Sequence, residues 1–254
     1  MSAAGEFARL AAEDGRATLV TIVEGPAVGT KLLVLPDGSS HGSLGDPELD
    51  AAVTEAAGEL MWSERSELRE LKGVKVFLDV TAPAPRLVIF GAVDYSAVLC
   101  RLARVTGWVP YMCDPRARFA TPERFPDAEE VIAAWPDAAF ERIGAIDPAT
   151  YVAVLTHDPK LDDAALTLAL RSDAAYVGAM GSRRAQAARR ERLLAAGLAE
   201  EEIERIAAPI GLDLGAVSAE ETALSIMAEV VAVRNGRDGG RLTGSAGRIH
   251  EVGA

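Results

Sequence analysis

The sequence predicts an α/β protein in which a small α+β unit precedes a doubly wound parallel sheet. Two observations carry that prediction. From Leu87 onward, short apolar runs alternate with helical patterns, as expected for parallel strands joined by crossover helices on both faces of a sheet. Before that point strands meet through a tight turn, and Thr81-Ala82-Pro83-Ala84-Pro85 then supplies a stiff, extended linker that no central strand can contain. The expected organisation is a small domain over residues 1–82, a sheet domain over 83–236 and a glycine-rich, flexible tail over 237–254.

The elements follow in order. In the first part a helix is expected near 5–14, strands at Leu19–Val23 and Lys31–Leu35, and a turn at Pro36-Asp37-Gly38. A polar helix from Pro47 to about Ser63 and a strand at Val74–Val80 complete it. The second part reads as a strand at Leu87–Phe90, a helix over 95–106, a strand at Trp108–Cys113, a loop, and strands at Glu130–Ala133 and Tyr151–Thr156. A helix over 161–171 and a strand at Ala175–Val177 come next, then helices near 182–196, 200–207 and 218–234. Ser218 and Glu221 form a capping-box pattern at the start of the last helix, and Gly236 suits its end.

Composition restricts the function classes. The 254 residues are 49% hydrophobic, which is ample for a packed core. A net charge of −12 opposes nonspecific attraction to nucleic acid or anionic membranes, both polyanions. No apolar run approaches the ~20 residues of a membrane span, and the first residues carry acids rather than a basic start, so a cytoplasmic protein is expected. Cys100 and Cys113 have no metal-site or disulfide spacing and read as buried free thiols.

Ligands of open parallel sheets lie beyond the carboxyl ends of the strands, so the residues after each strand are the site candidates. After the first strand stand Gly91, Ala92, Val93 and Asp94, in the position of a dinucleotide fingerprint but with only its first glycine. Val93 occupies the place of the glycine that normally lets backbone approach a pyrophosphate. After the second come Asp114 and Arg116, where such folds place a ribose-binding acid, and where an arginine can take a phosphate; an aspartate before proline is equally an ordinary turn. After the fourth come Thr156, His157 and Asp158, with Asp162 one turn on. A lone histidine is commonly structural, yet its place here also suits proton exchange or an oxygen-rich ligand. The group is too thin for a metal centre, and no metal site is expected.

The fifth strand is followed by Gly178, Gly181, Ser182, Arg183 and Arg184. Cations at a helix N-terminus are unfavourable against the macrodipole by about 0.3–1 kcal/mol each, so their presence points to an anion that offsets them. Residues 183–192 hold Arg183, Arg184, Arg189, Arg190 and Arg192 against the single acid Glu191, which is either a solvated helix face or a local anion site. A glycine-punctuated loop with Pro209, Gly211 and Gly215 precedes the last helix, as a connector or as a further wall of the crevice.

The segments RLVIFGAVDYSAVLCRLARVTGWVPYMCDPRARFAT, THDPKLDD, YVGAMGSRRAQAARRERL and PIGLDLGAVSAEETALSIMAEVVAVRNG together resemble the XdhC/CoxI family of xanthine dehydrogenase accessory proteins. The resemblance covers residues 85 to 236 and extends to the first eighty residues, where the glycine-rich motif around Gly42-Ser43-Leu44-Gly45 is reduced. It implies a Rossmann-like fold and a non-catalytic chaperone that binds the molybdenum cofactor (molybdopterin). It further implies that the chaperone assists sulfuration with a cysteine desulfurase and delivers the cofactor to a xanthine dehydrogenase-type molybdoenzyme, with a homodimer among the expected assemblies. Two other readings stand beside it. One is an NAD(P)-dependent oxidoreductase with His157 as acid/base, and the other a nucleotide-binding assembly module without molybdenum.

Overall fold

The computed structural model describes residues 2–244, which group into two compact units, 2–83 and 84–240, with 241–244 grouping with the first. The expected flexible tail lies mostly outside the described residues; its described part includes a 3-10 turn at Leu242–Gly244.

The first unit is built from α1 (Ala3–Ala12), β1 (Ala17–Glu24), β2 (Lys31–Val34), β3 (Ser40–Gly42), α2 (Pro47–Ser63), β4 (Glu67–Leu71) and β5 (Val74–Thr81). Its antiparallel sheet runs β3-β2-β1-β5-β4. Alternation along β1 decides the packing, because successive side chains leave opposite faces. Val20 and Ile22 join Val53, Leu60, Val76 and Leu78 under α2, while Ala17 and Leu19 face the other way with Leu33 and Phe7 of α1. Asp46 caps α2 by accepting from the Glu48 N–H, and Pro47 follows at a position where no N–H is needed. The edge strands β3 and β4 were not among the expected elements. Their reason is visible in composition, since Ser40-His41-Gly42 is fully polar and Glu67-Leu-Arg-Glu-Leu71 places charges on a sheet edge, where charge opposes pairing with other chains.

The second unit contains β6 (Arg86–Phe90), α3 (Asp94–Val105), β7 (Val109–Cys113), β8 (Glu130–Ile132), α4 (Pro136–Ile143), β9 (Thr150–Val154), α5 (Pro159–Leu170), β10 (Tyr176–Ala179), α6 (Arg183–Ala195), α7 (Glu200–Glu204), β11 (Ile206–Ala207) and α8 (Ala219–Arg234). All six strands are parallel, in the order β11-β10-β9-β6-β7-β8. Counted within this unit, that is the doubly wound Rossmann order, and chain direction across the sheet reverses between β6 and β9. Leu99 and Ala103 of α3 cover one face with Ile226 and Val230 of α8. Leu166 and Ala169 of α5 cover the other with Leu193 of α6.

Two expectations need correction. The helix expected over 200–207 ends at Glu204, and Ile206–Ala207 instead pair with Val177 and Gly178 as β11, giving the otherwise open edge of β10 its hydrogen-bond partners. Helix α4, unanticipated, starts on Pro136 and packs Ala139 and Phe140 into the sheet, with the Phe140 ring edge-on to Phe90 at 5.3 Å. Among the described residues no helix is long and apolar enough to cross a membrane.

Gly91 marks where β6 meets β9. Its φ is +117°, and a Cβ there would lie 2.6 Å from Thr156 Cγ2 and 3.1 Å from the Thr156 nitrogen. Gly91→Ala is expected to destabilise the protein by about 1–3 kcal/mol. Gly107→Ala, at φ +82° but in open space, should cost less, and urea denaturation of the two variants compares them directly.

Candidate functional site

The switch point sets the site. The end of β6 carries Gly91 and Ala92 next to Leu155 and Thr156 at the end of β9, with the Leu155 N–H donating to the Phe90 carbonyl at 2.8 Å. α3 starts directly above, where a dinucleotide pyrophosphate would sit in this fold. Here Val93 packs on the core, and Asp94 occupies the first helical position with its side chain 95% exposed. A carboxylate there satisfies the helix dipole and repels a second anion, so side-chain bulk and charge both work against a pyrophosphate. Ser96 donates to the Gly91 carbonyl at 2.7 Å, and Tyr95 to that of Leu155 at 3.0 Å, which fix the turn from below.

At the end of β7, Asp114 is fully buried and every one of its acceptor positions is taken by neighbours. Oδ2 accepts from the Ala92 N–H at 2.8 Å and Arg116 Nη2 at 2.7 Å, while Oδ1 accepts from the Arg116 N–H and Nε, each at 2.9 Å. Burial pushes its carboxyl up, but the Arg116 guanidinium and two backbone N–H groups outweigh that and hold it below the usual carboxylate range. Asp114 and Arg116 thus stand at the strand ends next to the Gly91–Ala92 turn. Asp114 itself, however, is committed to Arg116 and Ala92 rather than open to a ribose.

At the end of β9, Thr156 donates from Oγ1 to Asp162 and accepts the Asp158 N–H at 3.1 Å. Asp158 caps α5 through the Lys160 N–H at 3.0 Å and lies near enough to Arg116 to reinforce its charge. His157 is exposed and makes no hydrogen bond or ion pair among the described residues. The buried Asp162 carboxylate meets Arg189 Nη2 at 3.1 Å, and the same nitrogen donates to the Met180 carbonyl at 2.8 Å. Arg189 also holds Gln186, whose Nε2 donates to the Gly181 carbonyl at 3.1 Å, and its Nε is buried without an acceptor. Burial is the largest influence on Asp162 and raises its carboxyl despite Thr156 and Arg189.

Beyond β10, Gly181 (φ +132°) makes the turn and Ser182 caps α6 through the Ala185 N–H at 3.3 Å. The arginine run divides into three. Arg190 pairs with Glu200 and Arg192 with Asp163, on a solvated face; Arg189 is buried; Arg183 and Arg184 are exposed in a first turn without acids and have no ion pair among the described residues. Gly178 departs from its expected place in the turn. It lies inside β10, and a Cβ there would come within 2.5 Å of Ile210 Cδ1 and the Tyr176 hydroxyl, so it admits close packing of the following loop.

That loop is pinned at its start and, through the Val217 N–H to Glu221 Oε2 at 2.8 Å, at its end. Pro209 follows a cis peptide bond, Ile210 N–H donates to the Ala179 carbonyl at 3.1 Å, and Gly211 N–H donates to Glu229 Oε2 at 2.8 Å, the carboxylate that also receives the Tyr176 hydroxyl. Gly211 (φ +102°) has no room for a side chain against Ser225 Oγ, whereas Gly215 (φ +68°) stands in open space. Cys100 and Cys113 are buried free thiols, the first pushed up to about 12 and the second also raised, chiefly by burial.

Residues 87–230 match the family profile described as the XdhC Rossmann domain, and residues 10–72 the profile of the XdhC and CoxI family. The chain belongs to the XdhC/CoxI family. Among its relatives, the "Uncharacterized protein YqeB" of Escherichia coli K12 is 27% identical over 85% of this chain and 42% of its own length. A probable xanthine dehydrogenase subunit of Bacillus subtilis 168 is 30% identical over 63% of this chain and 46% of its own. The "Molybdenum cofactor insertion chaperone PaoD" of E. coli K12 is 30% identical over 60% of this chain and 41% of its own. The chain thus spans less than half the length of these curated relatives. A crystal structure described as a xanthine dehydrogenase (BH1974) from Bacillus halodurans shares the fold, with a TM-score of 0.53, 21% identity, and coverage of 96% of this chain and 98% of that one.

Sequence reasoning names Asp162 and Arg189 separately but misses that they pair with each other. They stand 27 positions apart, and only the β9-β10 pairing brings them together. The two buried carboxylates predict opposite pH responses. Asp114, held low, contributes stability above the usual carboxylate range that is lost as pH falls through it. Asp162, held high, makes the folded state bind its proton more tightly, so stability falls as pH rises from that range toward its raised value. Chemical denaturation from about pH 3 to about pH 7 should therefore show Asp114→Asn with a weakened acid-side loss and Asp162→Asn without the fall on the rising side.

Proposed function

We propose that this protein is a molybdenum cofactor-binding accessory protein serving a xanthine dehydrogenase-type molybdoenzyme, and that a cysteine desulfurase sulfurates the cofactor while it is held. The observation that carries this reading is an anion seat with no carboxylate built into it. Ser182 caps α6, Arg183 and Arg184 at its start have no ion pair among the described residues, and the chain as a whole carries a net charge that repels anions. The relative named molybdenum cofactor insertion chaperone PaoD supports the same direction.

The residues present fit such a group. Molybdopterin brings its own dithiolene sulfurs to the metal and supplies the redox centre when bound to its final enzyme, so a carrier needs oxyanion donors rather than metal ligands. Among the described residues no cluster of three or more histidine, cysteine or acidic side chains could hold a metal ion, whereas two exposed guanidinium groups and the first N–H groups of a helix stand together at the start of α6. Gly91, Ala92 and Thr156 would form its floor, and Asp158, His157 and the 209–216 loop its rim. The exposed guanidiniums attract the ligand without enclosing it, which suits a protein that must release what it binds.

Arg183→Ala and Arg184→Ala are expected to weaken molybdopterin binding about tenfold each while leaving the unfolding transition unchanged, as judged by ligand retention and thermal melting side by side. Affinities equal to the parent protein would remove α6 from the site. Incubation with NAD(P) and a panel of purines, alcohols and aldehydes should give no steady NAD(P)H, because Val93 and Asp94 obstruct the pyrophosphate position. Turnover that disappears in His157→Ala would replace the carrier with an oxidoreductase.

A further inference from the structure

The β7 side of the crevice carries a feature that the α6 seat does not explain. Arg116, Arg118 and Arg124 surround a single ring, with their guanidinium carbons 5.1, 4.5 and 5.9 Å from the centroid of Phe119. Three cations on one aromatic side chain is a concentrated arrangement for a chain of net charge −12. Their acids are only partly matched. Arg124 lies 3.6 Å from the exposed Asp94, and Arg116 is gripped by Asp114, but Arg118 has no hydrogen bond or ion pair among the described residues. The nearby Glu123 is exposed and turned onto Thr121 and its own backbone.

The grip on Arg116 is informative. A guanidinium has five N–H donors in a rigid plane, and Asp114 engages Nε and Nη2 side-on, leaving the Nη1 edge free while the side chain remains 43% exposed. The acid that would accept ribose hydroxyls in this fold is thereby turned into a support for a cation, so this lip of the crevice offers donors where a dinucleotide site offers an acceptor. We infer that Arg116 and Arg118, mounted on Phe119, form a second anion seat that receives the phosphomonoester end of the bound ligand.

The inference rests on the carrier reading above and gives the ligand a direction. The β7 lip and the α6 start are three strand spacings apart across β6 and β9, about 14 Å at ~4.8 Å per strand. A ligand that reaches both is a molecule with two anionic ends joined by a heterocycle, its phosphate on Arg116 and Arg118 and its other end toward Arg183 and Arg184. Planar forks fixed by a carboxylate and an aromatic face match a tetrahedral phosphate, which takes paired N–H bonds from more than one side.

The test uses the full chain and the stable fluorescent oxidised derivative of molybdopterin, with and without its phosphate, in fluorescence titrations. The parent protein should prefer the phosphorylated probe by about tenfold. Arg118→Ala, an exposed position, should remove most of that preference by weakening the phosphorylated probe alone, and Arg118→Lys should restore part of it. Equal loss for both probes, or no loss, overturns the seat. A preference lost in Arg183→Ala instead places the phosphate on α6 and overturns it equally. If the parent binds neither probe, the carrier reading fails, and titration with inorganic phosphate decides the seat separately. Shifts of the Arg116 and Arg118 Nε–H resonances then support it, and unmoved resonances overturn it.

Discussion

The sheet unit depends on one close approach, that of the Gly91 backbone to Thr156. β6 and β9 run side by side as the central pair, and the direction of winding reverses between them, so any ligand crevice of this fold opens there. With φ in the left-handed region and the space for a Cβ already filled by Thr156, the turn after β6 has no alternative to glycine. From that contact the rest of the site is ordered outward. The turn gives Ala92 N–H to Asp114 on one side, and Thr156 gives its hydroxyl proton to Asp162 on the other.

Those two carboxylates resolve burial differently. Asp114 receives four hydrogen bonds, two of them from the guanidinium of a side chain only two residues away, so its charge is satisfied locally and a surface loop is tied to the sheet. Asp162 receives the Thr156 hydroxyl and a single guanidinium nitrogen from a helix far along the chain, and Arg189 retains an unmatched Nε. A buried ion pair is weak grounds for net stability, because desolvation offsets most of the attraction, but removal of one partner leaves an uncompensated charge. The Asp162–Arg189 pair is better understood as a fixed joint. It ties the start of α5 to α6 and the Met180 carbonyl, and so sets where the arginine-bearing helix start lies relative to the switch point.

Much of this was legible in the sequence, for identifiable reasons. Apolar runs such as Leu87–Phe90, flanked by helical patterns, show buried parallel strands because both faces must be apolar. Local chemistry also reads directly, as at Asp46-Pro47, Ser182 and Ser218, where a cap needs only its own neighbours. What escaped was either short or non-local. β11 has two residues, and its identity as strand comes from the vacant edge of β10 rather than from any pattern in Ile206-Ala207. Gly178 reads as a turn glycine in isolation, and only the return of Ile210 over β10 shows why a side chain is excluded there. The arginine run is the clearest case. Five similar residues divide into a buried joint, a solvated pair and two exposed cations, and that division depends on which acids the tertiary fold brings near.

The same division explains how an acidic protein can present a cationic crevice without losing it to its own surface. Glu200 and Asp163 engage the arginines on the outer part of α6, and Asp114 engages Arg116 from below the lip, so acids are spent where they orient cations rather than where they would cover them. The first turn of α6 holds no acid at all, whereas α7 and α8 each begin with at least two. α3 completes the contrast. Its acidic start at Asp94 makes the position above the switch point, where this fold ordinarily welcomes a phosphate, an unfavourable anion seat. Exposed arginines thus stand to either side of the switch point, toward β10 on one flank and β7 on the other, and a ligand that met both would lie across the strand ends rather than along a single helix axis.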